Sequence, residues 1–161
     1  MRGITLLVED PNWRSHRGLQ ARLQKAAEAA RRAARLKDAF TVLLAGDKKL
    51  RALNRDFRGA DKATNVLSFP GDSMSGRAAG RLAPAPGYAG DIAIAYGVTQ
   101  KEAKAAGNSL VDHASHLVVH GVLHLAGYDH EAPADAKVME PLEVKILKRL
   151  GIADPYAATT R

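Results

Sequence analysis

A chain of 161 residues without cysteine fits one domain with a core of its own, and it excludes a disulfide framework and a thiolate metal site. The first ten residues hold too short an apolar run for a signal peptide, and no apolar stretch is long enough to span a bilayer. Lys and Arg number 24 against 17 Asp and Glu, a net charge of +7, which favours an anionic partner, nucleic acid first, although solubility alone also accounts for it.

In chain order, Ile4 to Val8 is apolar and partly β-branched and reads as a short strand. Pro11 ends it, and Asn12 or Ser15 offers a cap for the next helix. Residues 16–36 are rich in Ala, Leu, Arg and Gln, all good helix formers. Leu19, Leu23, Ala26, Ala27 and Ala30 make one apolar side. Arg14, Arg17, Arg22, Lys25, Arg31, Arg32 and Arg35 make the rest basic, a solvated face or one that tracks RNA phosphates. Phe40 to Ala45 reads as a buried strand, Asp47 as an N-cap, and a helix runs to about Asp56 with Leu50 and Leu53 inward. Residues 59–63 form a loop and Thr64 to Phe69 a third strand, closed by Pro70. Residues 70–90, dense in Gly, Pro and Ser, read as a long mobile loop. Asp91 to Tyr96 is a fourth strand and Gly97 to Ala106 a helix ended by Gly107. A second helix follows from about Ser109 to Ala126. A last one spans roughly Pro133 to Leu150, with Met139, Leu142, Ile146, Leu147 and Leu150 inward and a bend or break expected at Pro141. No internal repeat is visible. The order βαβαββ and then three helices predicts an α+β fold. We expect a small mixed four-stranded sheet packed with about five helices, the whole of 1–161 forming one domain.

Residues 116–130 carry the chemistry. Four of the chain's six histidines lie there. His116, His120 and His124 recur every four residues, so a helix stacks them on one face, one turn apart. Gly127 suits the left-handed conformation that stops a helix, which lets the chain turn back and bring His130 toward His120 and His124. Three imidazoles hold a divalent cation and leave a fourth position for water, as catalytic zinc requires. A lone histidine on an apolar helix face is usually a core residue; three with a glycine turn make the metal reading the stronger. For His116, hydrogen bonding to a ligand or plain packing is favoured over direct ligation.

The stretch His120-Gly-Val-Leu-His124-Leu-Ala-Gly-Tyr-Asp-His130 resembles the signature of the YbeY family, bacterial single-strand-specific endoribonucleases of ribosomal RNA maturation. Asn54-Arg-Asp-Phe-Arg58-Gly59 with Asp61-Lys-Ala-Thr-Asn-Val-Leu-Ser-Phe-Pro70 is similar to its second motif, and Gly90-Asp-Ile-Ala-Ile94 to its third. The resemblance covers most of residues 40–156 in family order. It implies a zincin-like architecture and metal ligation by His120, His124 and His130, and it places the family's functionally important arginine at Arg58. It also implies cleavage of single-stranded ribosomal RNA at the 3′ end of the small-subunit rRNA and a part in ribosome quality control. The partners are then the small ribosomal subunit and its assembly factors, in the cytoplasm, with neither membrane nor DNA.

The expected cofactor is one zinc ion per chain, on the softness of imidazole and the coordination number, with nickel, cobalt and iron as alternatives. Such an ion lowers the pKa of bound water to about 7 and polarises a phosphoryl oxygen. Metalloproteases with His-Glu-x-x-His carry a glutamate base beside the first histidine; here that position is Gly121, which argues against peptide hydrolysis and leaves the general base unassigned. Arg58 offers planar, permanently charged donors for a phosphate from a loop after a helix, and Lys62 is near enough in sequence to assist. Asp129 either fixes a histidine tautomer or caps the turn after Gly127. Asp91, at the start of a strand, either orients a histidine or helix end or caps a turn. Ala63 stands where the family usually has proline. A hydrolase of peptides or small molecules, and a ribosome-associated protein with a structural metal, are the competing functions.

Overall fold

A computed structural model describes residues 3–70, 87–128 and 133–156, with 133–136 as backbone only. The elements are β1 (Ile4–Val8), a 3-10 turn (Pro11–Ser15), α1 (Leu19–Ala34), β2 (Ala39–Ala45), α2 (Asp47–Arg58), β3 (Val66–Pro70), β4 (Tyr88–Ala95), α3 (Tyr96–Ala106), α4 (Leu110–Leu125) and α5 (Pro133–Arg149). The expected α+β fold with one small mixed sheet is the one observed. The strand order is β1-β2-β4-β3. β1, β2 and β4 run parallel, and β3 is antiparallel to β4, with Ser68 opposite Ile92.

Both faces of the sheet are covered, so β4 is buried continuously from Gly90 to Ala95. On one face Phe40, Val42, Leu44, Ile92 and Ile94 pack against Leu19, Leu23 and Ala27 of α1, Val118 and Val122 of α4, and Met139 and Leu147 of α5. On the other, Ala93, Ala95, Leu67 and Phe69 pack against Leu50 and Leu53 of α2. α4 is thus wedged between the sheet and the helices α1, α3 and α5. No helix among the described residues is long and apolar enough to cross a membrane.

Several local details differ from these expectations. Asp10, not Asn12 or Ser15, caps the 3-10 turn, accepting from the Asn12 amide at 2.9 Å. α1 begins at Leu19 after a left-handed Gly18, with no side-chain cap. Asp47 opens α2, but its carboxylate accepts the Val98 amide at 2.9 Å and so caps α3. Arg31 does not belong to an outward basic face. It is 5 % exposed, donates to the carbonyls of Leu36 and Asp38, and lies over the Phe40 ring. β3 starts at Val66, not Thr64, and β4 reaches back to Tyr88, so Asp91 lies inside the strand. Residues 71–86 of the expected loop lie outside the described residues. α5 spans Pro141, whose missing N–H leaves the ladder without its bond to the Lys137 carbonyl, the break expected there.

Candidate functional site

α4 starts where the sequence places it. The Ser109 hydroxyl caps it by accepting the Asp112 amide at 3.1 Å, which satisfies a donor left open at the helix start. Gly127 ends the segment with φ 100°, the left-handed stop expected of it. Between these ends, His113, His116, His120 and His124 form a column of imidazoles, with successive ring centroids 5.9, 6.3 and 4.6 Å apart. The Nε2 atoms of His120 and His124 lie 3.0 Å apart. His130 and Asp129 lie outside the described residues.

A carboxylate from another helix backs this column. Glu143 of α5 is 0 % exposed. Its Oε1 is 3.0 Å from Nδ1 of His120, and its Oε2 is 2.9 Å from Nε2 of His116. The Tyr156 hydroxyl donates to Oε2 at 2.8 Å. Burial opposes the charge on Glu143, and the hydrogen bonds from the two histidines outweigh it and lower its pKa to about 2. Burial and the neighbouring Glu143 push the Tyr156 hydroxyl well above the ordinary tyrosine range. His116, His120 and Glu143 each present a ligand atom within 4.8 Å of the others, a group compact enough to hold a metal ion. His113 turns to Glu102 at 2.9 Å, and His16 pairs with the Tyr96 hydroxyl, away from the column.

Arg58 is the last residue of α2, not a loop residue; Gly59, at φ 73°, ends the helix behind it. Its guanidinium donates to the Ser68 carbonyl at 2.5 Å and lies 5.7 Å from the centre of the Phe69 ring, while the residue stays exposed. Ser68 in turn donates its hydroxyl to the carbonyl of Gly121 at 3.2 Å. Arg58 is therefore two hydrogen bonds from the residue that follows His120. Lys62 is exposed, and its carbonyl accepts from Asn54 at 3.0 Å. Asp91 is 2 % exposed and accepts the Tyr88 hydroxyl at 2.5 Å within its own strand.

A family model described as Endoribonuclease YbeY matches residues 9–151. The chain belongs to the YbeY endoribonuclease family. It is 50 % identical over 158 residues to an Endoribonuclease YbeY of Chelativorans sp. strain BNC1, across 96 % of this chain and 93 % of the relative. It is 47 % identical over 156 residues to that of Rhodopseudomonas palustris strain HaA2, across 92 % and 78 %. The Maricaulis maris relative is 41 % identical over 158 residues, across 97 % and 92 %. The solution structure of TM1509 from Thermotoga maritima is similar in fold, with a TM-score of 0.57 and 25 % identity over 91 % of this chain and 88 % of that one.

Within this YbeY chain, the sequence motifs point to His120, His124 and Arg58 but not to Glu143 or Tyr156. One signal for Glu143 is present. It stands four residues after Met139 and four before Leu147, in the apolar stripe of α5, where a carboxylate is tolerated only with partners. Tyr156 follows the last helix and carries no periodic signal. Gly121, noted for the glutamate it lacks, has a packing role. A Cβ there would lie 2.8 Å from Cγ2 and 3.1 Å from Cγ1 of Ile92, so the glycine lets α4 sit close on β4.

Proposed function

We propose that this chain is a metal-dependent endoribonuclease that cuts single-stranded RNA in ribosomal RNA maturation, as a cytoplasmic enzyme acting at the 3′ end of small-subunit rRNA with the small subunit and its assembly factors. Residues 1–161 act as one such domain. The observation that carries the reading is the pair of Nε2 atoms of His120 and His124 meeting at 3.0 Å, in a chain that matches the YbeY family over residues 9–151. Two imidazole nitrogens converging one helical turn apart suit a borderline metal. His120 and His124 hold the ion together with His130, and zinc is the ion these nitrogen donors favour.

When bound, a divalent cation supplies Lewis acidity toward a phosphoryl oxygen and acidifies water. The chain's own residues supply the rest. Arg58, exposed and held on β3 beside α4, presents planar charged donors to the scissile phosphate and stabilises charge that develops there. Position 121, where metalloproteases place their glutamate base, is a glycine at which a Cβ would already crowd Ile92 at 2.8 Å, and the missing base supports RNA over peptide as the substrate.

The test is cleavage of a fluorogenic single-stranded RNA oligonucleotide beside a casein digest, each with and without chelator, on protein of known metal content. RNA cleavage abolished by chelator and restored by zinc, with casein intact, is the expected result. RNA left intact by the metal-loaded protein, or casein digested in its place, overturns the reading.

A further inference from the structure

We infer that Glu143 is a positioning residue, anchored by Tyr156, that holds His120 with its proton on Nδ1 and its Nε2 lone pair turned toward His124. The inference rests on the reading that His120 and His124 hold the ion, and it adds the group that orients one of them.

An ionised carboxylate only accepts hydrogen bonds. With Oε1 at 3.0 Å from Nδ1 of His120, that nitrogen carries the N–H, and a neutral imidazole then has its lone pair on Nε2. That Nε2 is the atom that meets His124 at 3.0 Å, so the hydrogen bond between the two rings is donated by His124. His116 is held the same way from its other end, its Nε2 donating to Oε2 at 2.9 Å. In a neutral ring the Nδ1 of His116, buried without a hydrogen-bond partner, then carries the lone pair. Tyr156 adds its O–H to Oε2 at 2.8 Å, so Oε2 takes two donors and Oε1 one.

This occupancy separates a positioning role from direct ligation by the compact group of His116, His120 and Glu143. Both oxygens of Glu143 are already engaged, and the side chain is buried with no side open to substrate. A carboxylate that takes the second ring N–H of a ligand histidine fixes its tautomer and raises its basicity. α5 is well suited to the task, because Met139, Ile146 and Leu147 lock the same helix face into the core.

The experiment is nitrogen-15 NMR of the histidine side chains in the metal-free full chain, followed by zinc titration, for wild type, Glu143→Gln, Tyr156→Phe, His124→Ala and the control Glu140→Gln. In wild type, His120 is expected as the Nδ1–H tautomer, and zinc then shifts the Nε2 resonances of His120 and His124. Glu143→Gln loses that tautomer preference and weakens zinc binding by roughly 10- to 100-fold. Tyr156→Phe shifts both in the same direction by less, in a protein that keeps both histidine bonds to Glu143. His124→Ala loses zinc but keeps the His120 tautomer, and Glu140→Gln matches wild type. A zinc-binding wild type with His120 protonated on Nε2, or Glu143→Gln and Tyr156→Phe that both bind zinc as wild type does, overturns the positioning role alone. Zinc shifting His116 and His120 while His124 stays unmoved makes Glu143 a ligand and overturns it too. A folded wild type that binds no zinc removes the metal reading itself, and the positioning role with it.

Discussion

A Cβ on Gly121 would come within 2.8 Å of Cγ2 of Ile92, and that spacing sets how closely the histidine helix lies on the sheet. Three atoms of one branched side chain crowd the same point, and both Ile92 and Gly121 are buried. Gly121→Ala therefore forces α4 and β4 apart or drives Ile92 off its rotamer. The expected cost is that of overpacking, about 1–3 kcal/mol, or about 2–4 °C in melting temperature for each kcal/mol in a chain of this size. Ile92→Val in the same background should recover part of it. A Gly121→Ala protein that melts with wild type would show that the contact carries no strain.

The metal prediction is direct. Elemental analysis of purified wild type should give one transition-metal ion per chain, and His120→Ala or His124→Ala should lose it. Ligand imidazoles must be neutral to bind, so metal content should fall as the pH is lowered through the histidine range. Undiminished metal in His124→Ala would remove that residue from the ligand set.

Arg58 is expected to serve cleavage more than folding, but its removal is not free of structural cost. It bonds the Ser68 carbonyl and covers Phe69, contacts worth about 1 kcal/mol together for an exposed group. Arg58→Glu should abolish RNA cleavage while zinc content holds and the melting temperature drops only by a few degrees. Arg58→Lys should restore cleavage in part, because an ammonium lacks the planar fork. Loss of activity strictly in step with unfolding would mark Arg58 as structural.

Arg31 and Arg32 should behave oppositely although they are neighbours in one basic run. Arg31 clamps two carbonyls after α1 from a buried position, and Arg32 is exposed. Arg31→Met strands those carbonyls and should cost about 1–3 kcal/mol. Arg32→Ala should stay within about 0.5 kcal/mol. Urea melts of the two variants decide it, and equal midpoints would place Arg31 on the solvated face after all.

Features that repeat along the chain were legible without any coordinates. The strand at Ile4–Val8, the α4 helix with its start near Ser109 and its Gly127 stop, and the convergence of His120 with His124 all follow from periods and stop signals that act within a few residues. The third dimension decided the partners of charged groups, because a carboxylate or guanidinium takes the nearest unsatisfied donor or acceptor wherever the chain brings one. Asp47 therefore caps α3 from α2. Ser68 ties the strand that holds Arg58 to the carbonyl beside His120. Glu143, one of two glutamates on α5, meets two histidines from α4 and a tyrosine from beyond the last helix. Those pairs are separated by 10 to 53 positions in sequence, and no local pattern encodes them; the packing of α4 and α5 on one face of the sheet and of α2 on the other makes them neighbours.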